Sequence, residues 1–195
     1  MADITERTFE INGLALHTVL FGAGRPLLLL HGFTGSAATW AGLAAQLAPQ
    51  RQCIAQDLIG HGKSVAPADP ARYTMEQAVQ DIAGLLDVLG ISRVDLLGYS
   101  LGGRLALQFA VAAPGRVRAL ILESASPGLA SPAERAARIA ADDALAAAIE
   151  RDGVEAFVAH WEALPLWASQ AELPAELRAR QRTQRLANRP QGLAN

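Results

Sequence analysis

Cysteine is almost missing from this 195-residue chain. Cys53 stands alone, so no internal disulfide can form and no thiolate metal site is indicated, a usage that fits a reducing compartment. Long hydrophobic runs are also missing: none approaches the roughly 18 apolar residues needed to cross a membrane. Charge of one sign is not in excess, with 17 Lys and Arg against 19 Asp and Glu, which argues against nucleic acid as a partner and against an acidic solvating tail. The segment from Met1 to Glu10 is polar and has no apolar centre, so no signal peptide is expected and the location expected is cytoplasmic.

What is present is a globular composition, with 51% hydrophobic and 18% charged residues. The first half alternates strand and helix signals. Asn12-Gly13 between two short strand patterns predicts a tight hairpin, because both residues tolerate positive φ. Pro26 to Leu30 and Ala119 to Leu122 are unbroken apolar runs, as expected for strands covered on both faces. Gln52 to Ala55 reads as a further buried run, and Val94 to Leu97 reads as a strand leading into the next helix. Cys53 lies in one of them, which favours a buried structural thiol over a catalytic one.

Between these runs, Trp40 to Leu47 reads as helix. Thr74 and Gln77 have capping-box spacing ahead of a helix whose apolar face is Met75, Ala78, Val79, Ile82, Leu85, Leu86 and Leu89, closed by Gly90. A further helix is predicted from Leu101 to about Ala112. The alternation predicts an α/β fold with a mainly parallel sheet and helices on both faces. After Ser126 the texture turns rich in Ala and Arg, with a second capping box at Ser131 and Glu134. We read residues 1–127 as the N-terminal part of an α/β core and 128–195 as a helical lid.

Gly98-Tyr99-Ser100-Leu101-Gly102 matches the G-x-S-x-G pattern between a predicted strand and a predicted helix. In that setting the serine sits on a sharp turn, the glycines removing side chains that would clash. Ser100 is therefore the candidate nucleophile or base. His31-Gly32-Phe33 follows an earlier strand and supplies the matching turn, so the backbone N–H groups of Phe33 and Leu101 are the candidate oxyanion donors. His31 and His61 are expected to brace turns, and His160, the only histidine after Ser100, is a poor candidate for a base.

Together with Asp57 to Ser64, these landmarks resemble the α/β-hydrolase superfamily. Longer stretches resemble the bacterial 2-succinyl-6-hydroxy-2,4-cyclohexadiene-1-carboxylate (SHCHC) synthases of menaquinone biosynthesis. They are His31 to Ser36 with Trp40, Gly98 to Arg104, Glu123 to Leu129, Trp161-Glu162, Leu164 to Leu166, Gln184 to Leu186 and Gly192 to Ala194. The resemblance implies a lyase that removes a proton from a cyclohexene ring and expels pyruvate, with no metal or organic cofactor. It implies Tyr99, Arg104, Arg138, Trp161 and Arg185 as residues lining a site for a small polycarboxylate.

Arginine suits such a substrate because guanidinium binds carboxylate bidentately and stays charged. Arg178, Arg182, Arg185 and Arg189 follow helical spacing, a stripe that more often faces solvent than substrate. An activating histidine and its acid would follow Ser100 in chain order, and no residue here matches either. The expectation is an incomplete core whose last strand, Ala119 to Leu122, is left as an exposed edge, inactive and prone to aggregate by itself. Carboxylester or carbon–carbon bond hydrolysis, or binding without catalysis, are the alternative functions.

Overall fold

The computed structural model describes residues 4–195. Six strands form one sheet: β1 (Ile4–Ile11), β2 (Leu14–Phe21), β3 (Arg25–Leu30), β4 (Arg51–Gln56), β5 (Val94–Tyr99) and β6 (Val117–Glu123). The spatial order is β1-β2-β4-β3-β5-β6; β1 and β2 run antiparallel to their neighbours, and β4, β3, β5 and β6 are mutually parallel. The hairpin turn is made by Asn12 and Gly13, both at positive φ as the dipeptide predicts.

The apolar run of β3 has a simple cause. Leu28 and Leu30 enter one core with Ile54, Leu96, and Ile82, Leu85 and Leu86 of α2 (Met75–Val88), together with Leu105 and Phe109 of α3 (Leu101–Ala112). Leu27 and Leu29 enter the opposite core with Cys53, Ala55, Trp40 and Ala44, the last in α1 (Ala41–Leu47). With both faces covered, every β3 side chain between Leu27 and Leu30 is buried.

Local expectations are met with small corrections. Trp40 ends a 3-10 turn, Ala37–Trp40, instead of opening the helix. Thr74 accepts the Gln77 backbone N–H, but only this half of the predicted capping box is formed, whereas Ser131 and Glu134 make both halves. Strand β6 is an edge with no further strand beyond it among the described residues, and Ile121 is 50% exposed and Leu122 40%.

Residues after Gly128 are helical. The segment α4 (Pro132–Glu162) is interrupted at Gly153, whose φ of 81° bends it into two arms. A 3-10 stretch (Pro165–Glu172), α5 (Ala175–Leu186) and α6 (Pro190–Ala194) follow. A third apolar cluster of Ile149, Phe157, Val158 and Leu193 joins this segment to Phe33 of the core. The predicted arginine stripe is broken: α5 holds Arg178, Arg182 and Arg185, while Arg189 lies beyond its end, ahead of Pro190. Among the described residues no helix is long and apolar enough to cross a membrane.

Candidate active site

Ser100 lies at the junction of β5 and α3 with φ 52° and ψ −111°, a conformation L-residues rarely adopt. Its surroundings impose it. A Cβ on Gly98 would collide with the Gly102 backbone, and one on Gly102 with the carbonyls of Leu30 and His31. A Cβ on Gly103 would sit 2.5 Å from that of Ala125. The Ser100 N–H is held by the Glu123 carbonyl at 2.9 Å, and the Ser100 carbonyl accepts from Arg104 N–H at 3.0 Å. Strand β6 thus fixes one side of the elbow and α3 the other.

The turn after β3 lies directly against it. A Cβ on Gly32 would come within 2.7 Å of the Tyr99 ring and 3.4 Å of the Ser100 Cβ, so a glycine is needed for the two loops to meet. The Gly32 carbonyl accepts two hydrogen bonds at 2.9 Å, from Gly35 N–H and from His31 Nδ1. Because the peptide unit is planar, fixing that carbonyl also fixes the Phe33 N–H on its opposite side. Neither Phe33 N–H nor Leu101 N–H has a hydrogen-bond partner among the described residues. Two free donors therefore flank the serine, one of them at the start of a helix, where backbone N–H groups are intrinsically unpaired.

The histidines have separate tasks. His31 is fully buried; Leu58 N–H donates to its Nε2 at 3.1 Å, which leaves Nδ1 as the donor to Gly32. Burial lowers its pKa to about 4, partly opposed by the bond to Gly32. His61, its ring 5.1 Å away, is also lowered to about 4 by burial and by the neighbouring His31, against bonding to Ile59 and the charge of Asp57. Its Nε2 has no partner. His160 is exposed on the lid. None of them bonds to the Ser100 side chain among the described residues.

One cluster was not legible as a site. His17 on β2 bonds through Nδ1 to Asp57 at 2.8 Å, and Asp57 also accepts from the backbone of Ala37 (2.6 Å) and Lys63 (2.8 Å). This carboxylate ties its own loop to strand β2 and to the 3-10 turn after β3. A buried acid just after a strand was its only sequence signal.

The lid contributes aromatic and charged groups. Trp161 stands edge-on to Phe33 at 5.5 Å and 5.8 Å from Trp167, and both indole N–H groups are buried without partners. Arg185 is buried, 5.0 Å over the Trp167 ring, bonded to Glu162 at 2.9 Å and Gln170 at 3.0 Å; Arg182 grips the other oxygen of Glu162. Arg104 is exposed on the first turn of α3. Arg138 stands apart from these groups, exposed and paired with Asp142 one helical turn on. A cavity of about 510 Å³ follows the inside of the α4 bend, lined by Leu145, Ile149, Asp152, Phe157 and His160 and not by Ser100.

A strained serine between a strand and a helix, beside a second turn with a free amide, defines a class. The chain belongs to the α/β hydrolase fold family, which matches residues 25–165. More particularly, it is similar to the Bacillus subtilis (strain 168) protein named "Putative 2-succinyl-6-hydroxy-2,4-cyclohexadiene-1-carboxylate synthase", with 47% identity over 173 residues, covering 89% of this chain and 63% of that protein. The structure of MenH from S. aureus superposes with a TM-score of 0.83 at 33% identity, over 99% of this chain and 68% of the other. The enol-lactonase from Burkholderia xenovorans LB400 has the same TM-score at 26% identity, over 96% and 70%. The chain spans less than two thirds of the length of the curated Bacillus relative.

Proposed function

We propose that this chain carries the nucleophile-bearing part of a menaquinone-pathway lyase. Its substrate on this reading is 2-succinyl-5-enolpyruvyl-6-hydroxy-3-cyclohexene-1-carboxylate, and its products are SHCHC and pyruvate. The observation that carries the reading is the pair of free amides, Phe33 and Leu101, flanking Ser100 in a chain 47% identical to the Bacillus protein so named.

The chemistry follows from the groups. Ser100 removes the ring proton next to the succinyl carbonyl, and the carbonyl oxygen gains the charge. Two preorganised amides facing that oxygen stabilise it without reorganisation. The electrons then form a new ring double bond at the deprotonated carbon, the existing ring double bond shifts one position along, and the carbon–oxygen bond to the enolpyruvyl group breaks. The departing enol takes up a proton to become pyruvate. Tyr99 and Trp161 are assigned to the walls of the pocket, and Arg104, Arg138 and Arg185 to the carboxylates. A serine hydroxyl is a poor base unaided, and the reading assigns its activating histidine and acid to no residue of this chain.

The second reading is carbon–carbon bond or ester hydrolysis on the same elbow. It is favoured by one observation: Arg138 is engaged with Asp142 and not gathered with Arg185. Pyruvate release from the cyclohexene substrate, compared with turnover of an aryl ester, separates the two. Release abolished by Ser100→Ala supports the lyase; ester turnover without pyruvate overturns it.

A further inference from the structure

Asn188 lies between α5 and α6, 3% exposed, and reaches two loops far away in sequence. Its Oδ1 accepts from Gly62 N–H at 3.0 Å, and its Nδ2 donates to the Thr34 carbonyl at 2.9 Å. Nδ2 also lies 3.2 Å from the Arg185 carbonyl and 3.3 Å from that of Gln184, so it closes the end of α5 as well. The amide orientation is forced. Turning it over would set an NH2 against the Gly62 donor and an oxygen against Thr34 O.

Thr34 is the residue after Phe33 and has φ 69°, in the left-handed region. The Gly32 end of this turn is held by His31 and Gly35. The far end is held by Asn188, a residue of the lid. Arg189 adds a bond to the Ser64 carbonyl, and Gly192 lies so close to Gly60 that a Cβ on it would strike that backbone. The lid end and the oxyanion turn are therefore one hydrogen-bonded unit.

We propose that Asn188 is a positioning residue: by holding Thr34 O it makes the aim of the Phe33 amide depend on the lid end being seated. The proposal rests on the reading of Phe33 as an oxyanion donor. It places the control of the donor in a residue that belongs to no catalytic motif. Losing the bond frees the turn to relax from its left-handed conformation while the elbow at Ser100, held by the Glu123 carbonyl and the Arg104 N–H, stays as it is.

The test compares Asn188→Asp, which keeps the acceptor for Gly62 and loses the donor to Thr34, with Asn188→Ala, which loses both. Hydrogen exchange of the Gly35 amide, which donates to the Gly32 carbonyl within this turn, is expected to quicken about tenfold in both, the equivalent of one hydrogen bond of about 1.4 kcal/mol. Gly62 exchange is expected to change in the alanine variant only. For pyruvate release, kcat is expected to fall with little change in KM, because a donor acting on developing charge is lost and not a substrate contact. Unchanged Gly35 exchange overturns the proposal, as does faster exchange that leaves kcat intact. A lid end that loosens while the turn stays protected also overturns it, since Asn188 is then an anchor alone. A parent chain without pyruvate release does not count against the lyase reading, which assigns the activating histidine and acid to no residue here, and the exchange measurement then decides by itself whether Asn188 positions the turn.

Discussion

The two arms of the lid are built from similar sequence and behave differently. The first arm of α4 is alanine-rich, and from Pro132 to Ala144 every residue is exposed. The second arm, with α5 and α6, buries Phe157, Val158, Arg185, Asn188 and Leu193 against the core or one another. Helix propensity and a full capping box at Ser131 are enough to form the first arm. Only apolar contact with Phe33 and hydrogen bonds to Thr34, Gly62 and Ser64 seat the second. The stretch from Pro132 to Ala144 is therefore well formed without being anchored, and contact begins only at Leu145 and Ile149, near the bend.

The sharpest way to break this contrast is Phe157→Ala. Removing a buried ring that meets both Phe33 and Trp161 is expected to cost about 3–5 kcal/mol, read as a lower denaturant midpoint. Acid is the next largest effect. His31 and His61 have pKa values of about 4 in the fold against an ordinary 6.5, so the unfolded chain takes up protons first as pH falls. Their contribution is complete above pH 6.5 and is lost by about pH 4, on the order of 3 kcal/mol for each ring. A His61→Gln variant should show a shallower dependence of stability on pH across that window.

Arg185→Met comes third. It leaves Glu162 with only Arg182, and because the pair is not wholly dry the expected loss of stability is about 2 kcal/mol. Arg138→Ala is the smallest. Its exposed pair with Asp142 should contribute less than about 0.5 kcal/mol, so thermal unfolding should be unaltered. If the assignment of Arg138 to a substrate carboxylate is right, KM nevertheless rises in that variant. Stability and substrate binding are then carried by different arms of one helix.

Most of the sheet was legible because its signals are local. The runs at Leu27–Leu30 and Cys53–Ala55 are continuous because both faces are covered, and the glycines around Ser100 are forced by contacts that any such turn makes. The capping signals at Thr74 and Ser131 also act over three residues. What the sequence hid depends on distant partners. Asn188 meets Thr34 and Gly62 across more than 120 residues, and His17 meets Asp57 across 40, with no spacing rule to join them. The arginine stripe failed for a local reason that could have been read. Arg189 precedes Pro190, and a residue before proline is pushed out of helical geometry.

The backbone angles at Ser100 also set a conflict for directed evolution. At φ 52° a glycine would relieve strain on the order of 1 kcal/mol or more. A selection for heat resistance alone should therefore enrich Ser100→Gly, discarding the hydroxyl while improving the scaffold. Any stabilisation campaign on this chain needs a functional filter at that codon, because folding and chemistry reward opposite residues there.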